Sequence, residues 1–200
     1  MSKMNLPNKL TVLRICLVPV FMIVMMAPIP FLKDNLVWTG LIAAIIFAIT
    51  SLTDMLDGKI ARKYNLITDF GKFMDPLADK FLVIAAMLGL IIRLEGTLKL
   101  VFVWAAAIVI FREFAVTSLR MVASSGAGLV IAAAWLGKVK TVTQMLCITV
   151  VLIEPVILPF ALFRDYHLLS YITIGIMSVM TLWSGLDYLK TYAPYISSKK

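Results

Sequence analysis

Residues 54–79 read DMLDGKIARKYNLITDFGKFMDPLAD, and these 26 positions hold five of the eleven acidic residues of the chain. Asp54 and Asp57 are three apart, and Asp75 and Asp79 are four apart, so on a helix each pair shares a face. The first pair closes one apolar stretch and the second opens the next. Two helices meeting there would aim four carboxylates into one small volume. Four negative charges that close repel and raise one another's proton affinity, unless cations occupy the cluster. Hard carboxylate oxygens suit divalent ions, and Mg²⁺ in particular is held by a few carboxylates together with substrate phosphates. Two such ions clamped by shared aspartates stabilise charge in phosphoryl transfer. The rival reading is a set of solvated acids that mark a loop. Against it stand the helical spacing and the position at membrane depth, where ionisable groups serve function by default. Asp69 breaks the spacing and reads as a polar loop residue. Gly58 permits close approach of backbone or ligand, Arg62 lies four residues on with a fork of donors suited to phosphate, and Gly71 lies four before Asp75.

Outward from this stretch the chain is apolar. Of its 200 residues 62% are hydrophobic and the mean hydropathy is +0.98, whereas a soluble domain is about half apolar. A chain of this size buries a modest part of its surface, so lipid must cover much of the rest. Apolar stretches of roughly 20 residues, the length that crosses a bilayer, run over 10–29, 36–53, 76–92, 100–119, 136–158 and 168–186. The expected fold is an all-α integral membrane protein of six transmembrane helices, with a single domain over 1–200 and no internal repeat. The first stretch carries Arg14, Pro19, Pro28 and Pro30 without a small-residue cleavage site, so it reads as a retained helix.

Lysine and arginine set the orientation. With an even number of spans both termini share a side, which then holds fifteen of these residues; the other side holds four, Lys33, Arg93, Lys99 and Arg164. Both termini and the aspartate-rich stretch are therefore expected to be cytoplasmic. The net charge of +8 follows from this bias and from attraction to anionic lipid headgroups, and no nucleic-acid partner is implied. Cys16 and Cys147 both lie inside expected spans, where they read as small packing residues and not as a disulfide or metal pair. His167 reads as a solvated loop residue beside Arg164 and Asp165.

Asp54, Asp57, Gly58, Ala61, Arg62, Gly71, Asp75 and Asp79 fill every fixed position of the pattern D-x2-D-G-x2-A-R-x8-G-x3-D-x3-D. In this the chain resembles the CDP-alcohol phosphotransferases, six-helix membrane enzymes, often homodimers, whose site opens to the cytoplasm. The resemblance implies two Mg²⁺ or Mn²⁺ ions, with Asp54 and Asp75 bridging both, Asp57 binding one and Asp79 touching the other. Asp79 also matches the position of the proposed general base. Gly58, Ala61, Arg62, Thr68 and Gly71 fall where the family binds its CDP-linked donor.

The opening NLPNKLTVLR, residues 5–14, looks like the start of the phosphatidylglycerophosphate-forming branch of that family. There a Pro-Asn-x-x-Thr-x-x-Arg stretch helps hold the cytidine nucleotide. By this likeness Pro7, Asn8 and Thr11 join the binding site for CDP-diacylglycerol; the plainer reading is a helix cap, since proline suits a helix start. FREFAVTSLR at 111–120 and WLGKVKTVTQM at 135–145 look like the same branch. Arg112 and Glu113 lie in an apolar segment, where charges are expensive and usually paired; being adjacent, they do not face one way on a helix and should find separate partners. Lys138 and Lys140 open the fifth stretch, as membrane anchors or, with Arg112, as a cationic pocket for the phosphate of glycerol 3-phosphate. The expected reaction passes the phosphatidyl group of CDP-diacylglycerol to that acceptor, in a bacterial plasma membrane. Inositol phosphate, or phosphatidylglycerol as in a cardiolipin synthase, are the alternative acceptors. A cation transporter is the rival from another class, but transporters put such carboxylates near the midplane and often show repeated halves.

Overall fold

The computed structural model describes residues 5–26, 36–64, 69–127, 135–157 and 166–197. They form six helices: α1 (Leu6–Met26), α2 (Leu36–Lys63), α3 (Asp69–Arg93), α4 (Gly96–Ala127), α5 (Trp135–Ile157) and α6 (Leu168–Ser197). No strand occurs among the described residues.

Local chemistry explains several helix starts. The Asn5 carbonyl accepts the Lys9 N–H at 3.1 Å, and Pro7 occupies the first turn, where its missing N–H would have had no partner. Only Leu94 and Glu95 separate α3 from α4. Gly96 follows with φ of 55°, a left-handed conformation that glycine adopts without steric cost. His167 precedes α6 with φ of 49°, and its carbonyl accepts the Tyr171 N–H at 3.1 Å. Asp69, expected in a loop, is the first residue of α3, a position that aspartate favours.

Among the described residues four stretches are long and apolar enough to cross a membrane: Asn8–Met26, Gly96–Val122, Trp135–Val156 and Leu168–Tyr192. The other two helices fall short of that measure for a visible reason. In α2 the apolar part is Trp38–Thr53, and the helix then runs on through the aspartate-bearing turns to Lys63. In α3 the first turns carry Asp69, Lys72, Asp75, Asp79 and Lys80 before the apolar run begins. The aspartate pattern is therefore mounted on helical extensions of two apolar segments. Large apolar side chains such as Trp104, Phe111, Trp135 and Trp183 are exposed, a surface suited to lipid and not to water.

The helices group into two compact units. The first comprises α1, α2, α3 and the end of α5 from Val151. In it α1 packs on both α2 and α3, with Val18, Phe21 and Met25 buried alongside Phe47, Leu82 and Met87. The Phe21 and Phe47 rings lie 6.3 Å apart and tilted by 54°, within the range of favourable aromatic pairs. Small residues, among them Ala43, Ala44, Ala85 and Ala86, are buried here and let helices approach closely. At Gly40 the approach is extreme, since a Cβ there would lie 2.6 Å from the Leu152 carbonyl oxygen. The second unit comprises α4, α5 up to Val150, and α6. Here α4 packs on α6, and Phe102, Val109, Ile148, Ile174, Met177 and Tyr188 are buried. Cys16 is exposed, Cys147 is buried, and both are free.

Candidate functional site

In the first unit Asn8, Thr11 and Arg14 follow one another at intervals of three along α1, and all three are buried. Such spacing keeps them on one helix face. Thr11 Oγ1 donates to Asp75 Oδ1 at 2.7 Å, and Arg14 Nη1 donates to Asp79 Oδ1 at 2.5 Å. The opening stretch of the chain and the end of the aspartate pattern are thus brought together across 64 and 65 residues. A guanidinium with 0% exposure needs a counter-charge, and Asp79 supplies one while its side chain stays 45% exposed. Sequence reasoning named Thr11 but gave Arg14 no site role. Its signal was the repeated interval of three; its partner was hidden by separation along the chain.

Asp75 and Asp79 share a face of α3 one turn apart, and Gly71, one turn earlier, is buried. Asp54, Asp57, Gly58, Ala61 and Arg62 lie on the last turns of α2, but their side chains, that of Pro7 and the whole of Thr68 lie outside the described residues. Among the described residues no group of three or more histidine, cysteine or acidic side chains is gathered. The donors that are described fit a hard divalent ion. Two carboxylates stand on one helix face, and one of them is reachable from outside.

The second unit gathers a different set. The Arg112 guanidinium donates to Ser184 Oγ, and Lys140 Nζ is bonded to Glu113 Oε1. Adjacent Arg112 and Glu113 do find separate partners, and they also touch each other, Nη1 to Oε1, at 3.3 Å. Arg120 Nη2 donates to the Tyr188 hydroxyl at 2.6 Å. Both guanidiniums lie over the Tyr188 ring, Arg112 at 5.5 Å and Arg120 at 5.2 Å from its centre, in the range of cation–π attraction. Gly185 gives Arg112 room, since a Cβ there would lie 3.2 Å from Arg112 Cγ, whereas one at Gly137 would make ordinary contact, 3.6 Å from the Tyr188 hydroxyl.

Lys138 and Lys140, expected to act alike, are separated by the helix. Residues two apart point to opposite sides; Lys140 is 4% exposed, whereas Lys138 is exposed. Arg120 and Tyr188 are the residues that sequence reasoning missed as site members. Arg120 stands eight residues after Arg112, about two turns along the same side of α4, and that spacing was the available signal. Tyr188 had none, because a tyrosine near a helix end usually marks a membrane interface.

The family model of the CDP-alcohol phosphatidyltransferases matches residues 4–183. The CDP-diacylglycerol–glycerol-3-phosphate 3-phosphatidyltransferase of Bacillus subtilis (strain 168) is 46% identical over 193 residues, covering 92% of this chain and 93% of that protein. The proteins of the same name from Escherichia coli (strain K12) and Salmonella typhi are each 36% identical over 189 residues, again with 92% and 93% covered. Matched over nearly its whole length, and with the aspartate pattern on its helices, the chain belongs to the CDP-alcohol phosphatidyltransferase family.

Proposed function

We propose that the whole chain acts as one catalytic domain, transferring the phosphatidyl group of CDP-diacylglycerol to sn-glycerol 3-phosphate and releasing CMP and phosphatidylglycerophosphate. The observation that carries the choice of a phosphomonoester acceptor is the cation cluster of the second unit, and the names of the relatives favour glycerol 3-phosphate over inositol phosphate. Arg112 and Lys140 contact the Glu113 carboxylate, and Arg120 lies with Arg112 over the Tyr188 ring, a set with a surplus of two positive charges. A phosphomonoester dianion matches that surplus. A phosphodiester such as phosphatidylglycerol matches half of it, and an uncharged acceptor none. The relatives named above carry the same activity in their names.

Asp54, Asp57, Asp75 and Asp79 would hold two divalent ions, Mg²⁺ or Mn²⁺, which when bound neutralise the pyrophosphate and the departing nucleotide. Thr11 and Arg14 fix the carboxylates of Asp75 and Asp79 in place from α1. Pro7, Asn8, Gly58, Ala61, Arg62, Thr68 and Gly71 line the donor, with the Arg62 guanidinium on its phosphates. Arg112 and Lys140 take the acceptor's phosphate, joined by Arg120; Lys138, on the outer side of α5, draws the anion in from solution. Asp79 accepts the proton of the acceptor's 1-hydroxyl as its oxygen bonds to the β-phosphorus and the bond from that phosphorus to CMP breaks. Six helices cross a bacterial plasma membrane in a homodimer, with both termini and the aspartates on the cytoplasmic side. The lysine and arginine bias supports that orientation.

The test uses purified protein in vesicles with CDP-diacylglycerol and Mg²⁺. CMP and phosphatidylglycerophosphate should form in equal amounts, and only when glycerol 3-phosphate is present. Divalent-ion flux across the vesicles without any CMP would revive the transporter and end this reading.

A further inference from the structure

Two buried side chains of the second unit each leave a polar atom without a partner among the described residues. Gln144 is 1% exposed and Thr181 0%, and neither Gln144 Nε2 nor Thr181 Oγ1 has a hydrogen-bond partner among the described residues. An unpaired buried polar group is costly, the more so where lipid surrounds the protein. Neighbouring hydroxyls avoid this by bonding a carbonyl three or four residues back: Thr141, Thr143 and Thr149 do so on α5, and Thr173 and Ser178 on α6. Thr181 does not follow them.

Their place on the helices is specific. Gln144 is one turn beyond Lys140 on α5, and Thr181 is three residues before Ser184 on α6. Each therefore shares a face with a residue that bonds the Arg112–Glu113 pair. The chemistry also differs from that of the cluster beside them. Guanidiniums and an ammonium suit a phosphate, whereas a neutral amide N–H and a hydroxyl suit neutral oxygens that both donate and accept. We infer that Gln144, assisted by Thr181, hydrogen-bonds the hydroxyl groups of a phosphorylated polyol acceptor whose phosphate rests on Arg112, Arg120 and Lys140. This rests on the acceptor reading above and adds a second point of recognition to it. A site that satisfies its own buried donor with a substrate hydroxyl rejects the analogue lacking that hydroxyl, because the donor is then left unpaired.

The experiment compares kcat/KM for sn-glycerol 3-phosphate with that for propane-1,3-diol monophosphate, which keeps the attacking hydroxyl and the phosphate but lacks the central hydroxyl. The wild type should prefer the glycerol compound by about tenfold or more. Gln144→Met, apolar and of similar length, should remove most of that preference while leaving KM for CDP-diacylglycerol unchanged. Thr181→Val should shift the preference the same way, and it serves alone if the methionine variant does not fold. A wild type without the preference, or Thr181→Val and any folded Gln144→Met with the preference intact, overturns the inference and leaves the proposed reaction standing. A wild type that makes no use of glycerol 3-phosphate overturns both.

Discussion

Replacing Lys140 by alanine removes an ammonium that is almost fully buried and bonded to Glu113. Two effects follow and they are separable. First, the Glu113 carboxylate, 15% exposed, keeps Arg112 at 3.3 Å as a counter-charge. Breaking a buried pair costs about 3–5 kcal/mol, and the remaining contact puts the expected loss of stability near the low end, at about 3 kcal/mol. Second, an acceptor phosphate loses a charge-assisted hydrogen bond of about 1.5–3 kcal/mol. At about 1.4 kcal/mol per factor of ten, KM for glycerol 3-phosphate should rise roughly 10- to 150-fold. Lys138→Ala takes away an exposed charge two residues off, and less than about fivefold is expected. The double variant Glu113→Gln, Lys140→Ala removes the stranded carboxylate, so stability should recover while KM stays high. The assay is CMP release at varied glycerol 3-phosphate and fixed CDP-diacylglycerol, with thermal unfolding measured in the same detergent. Equal effects of the two lysine variants, or equal rises in KM for both substrates from Lys140→Ala, would refute the reasoning.

Asp54→Asn, Asp57→Asn and Asp75→Asn should each weaken Mn²⁺ binding by about tenfold or more, read by titration calorimetry without substrate; unchanged affinity removes that residue from the metal site. Asp79→Asn keeps an oxygen for Arg14 but takes up no proton, so kcat should fall at least about 10²-fold with donor and metal still bound. Metal loss in parallel with activity would make Asp79 chiefly a ligand. Gly40→Ala drives a methyl to within 2.6 Å of the Leu152 carbonyl and should cost about 1–3 kcal/mol of stability; an unchanged melting temperature would mean the helices part freely.

The aspartate stretch was legible because its information is local. Intervals of three and four residues predict shared helix faces, and Asp75 and Asp79 do stand one turn apart on α3. The apolar segments were legible for the same reason, since length and hydropathy are read along the chain. What the sequence hid was partnership across it. Arg14 meets Asp79 65 residues away, and Arg120 meets Tyr188 68 residues away; no periodicity within a helix announces either pair. The difference in burial between Lys138 and Lys140 was hidden for another reason. Both looked like anchors at a helix start, and only the direction in which α5 turns its faces separates the buried lysine from the exposed one. Asp69 breaks the spacing of the other aspartates yet opens α3, because an acidic side chain suits a helix N-terminus whatever its register.

The central claim is the identity of the acceptor, and a competition between acceptors tests it most directly. Purified protein would receive CDP-diacylglycerol, Mg²⁺ and equal concentrations of sn-glycerol 3-phosphate, inositol phosphate, phosphatidylglycerol and serine, with the lipid products resolved by mass. The account predicts phosphatidylglycerophosphate as the dominant product, reduced in Lys140→Ala. A dominant inositol phosphate product, cardiolipin or phosphatidylserine would contradict it.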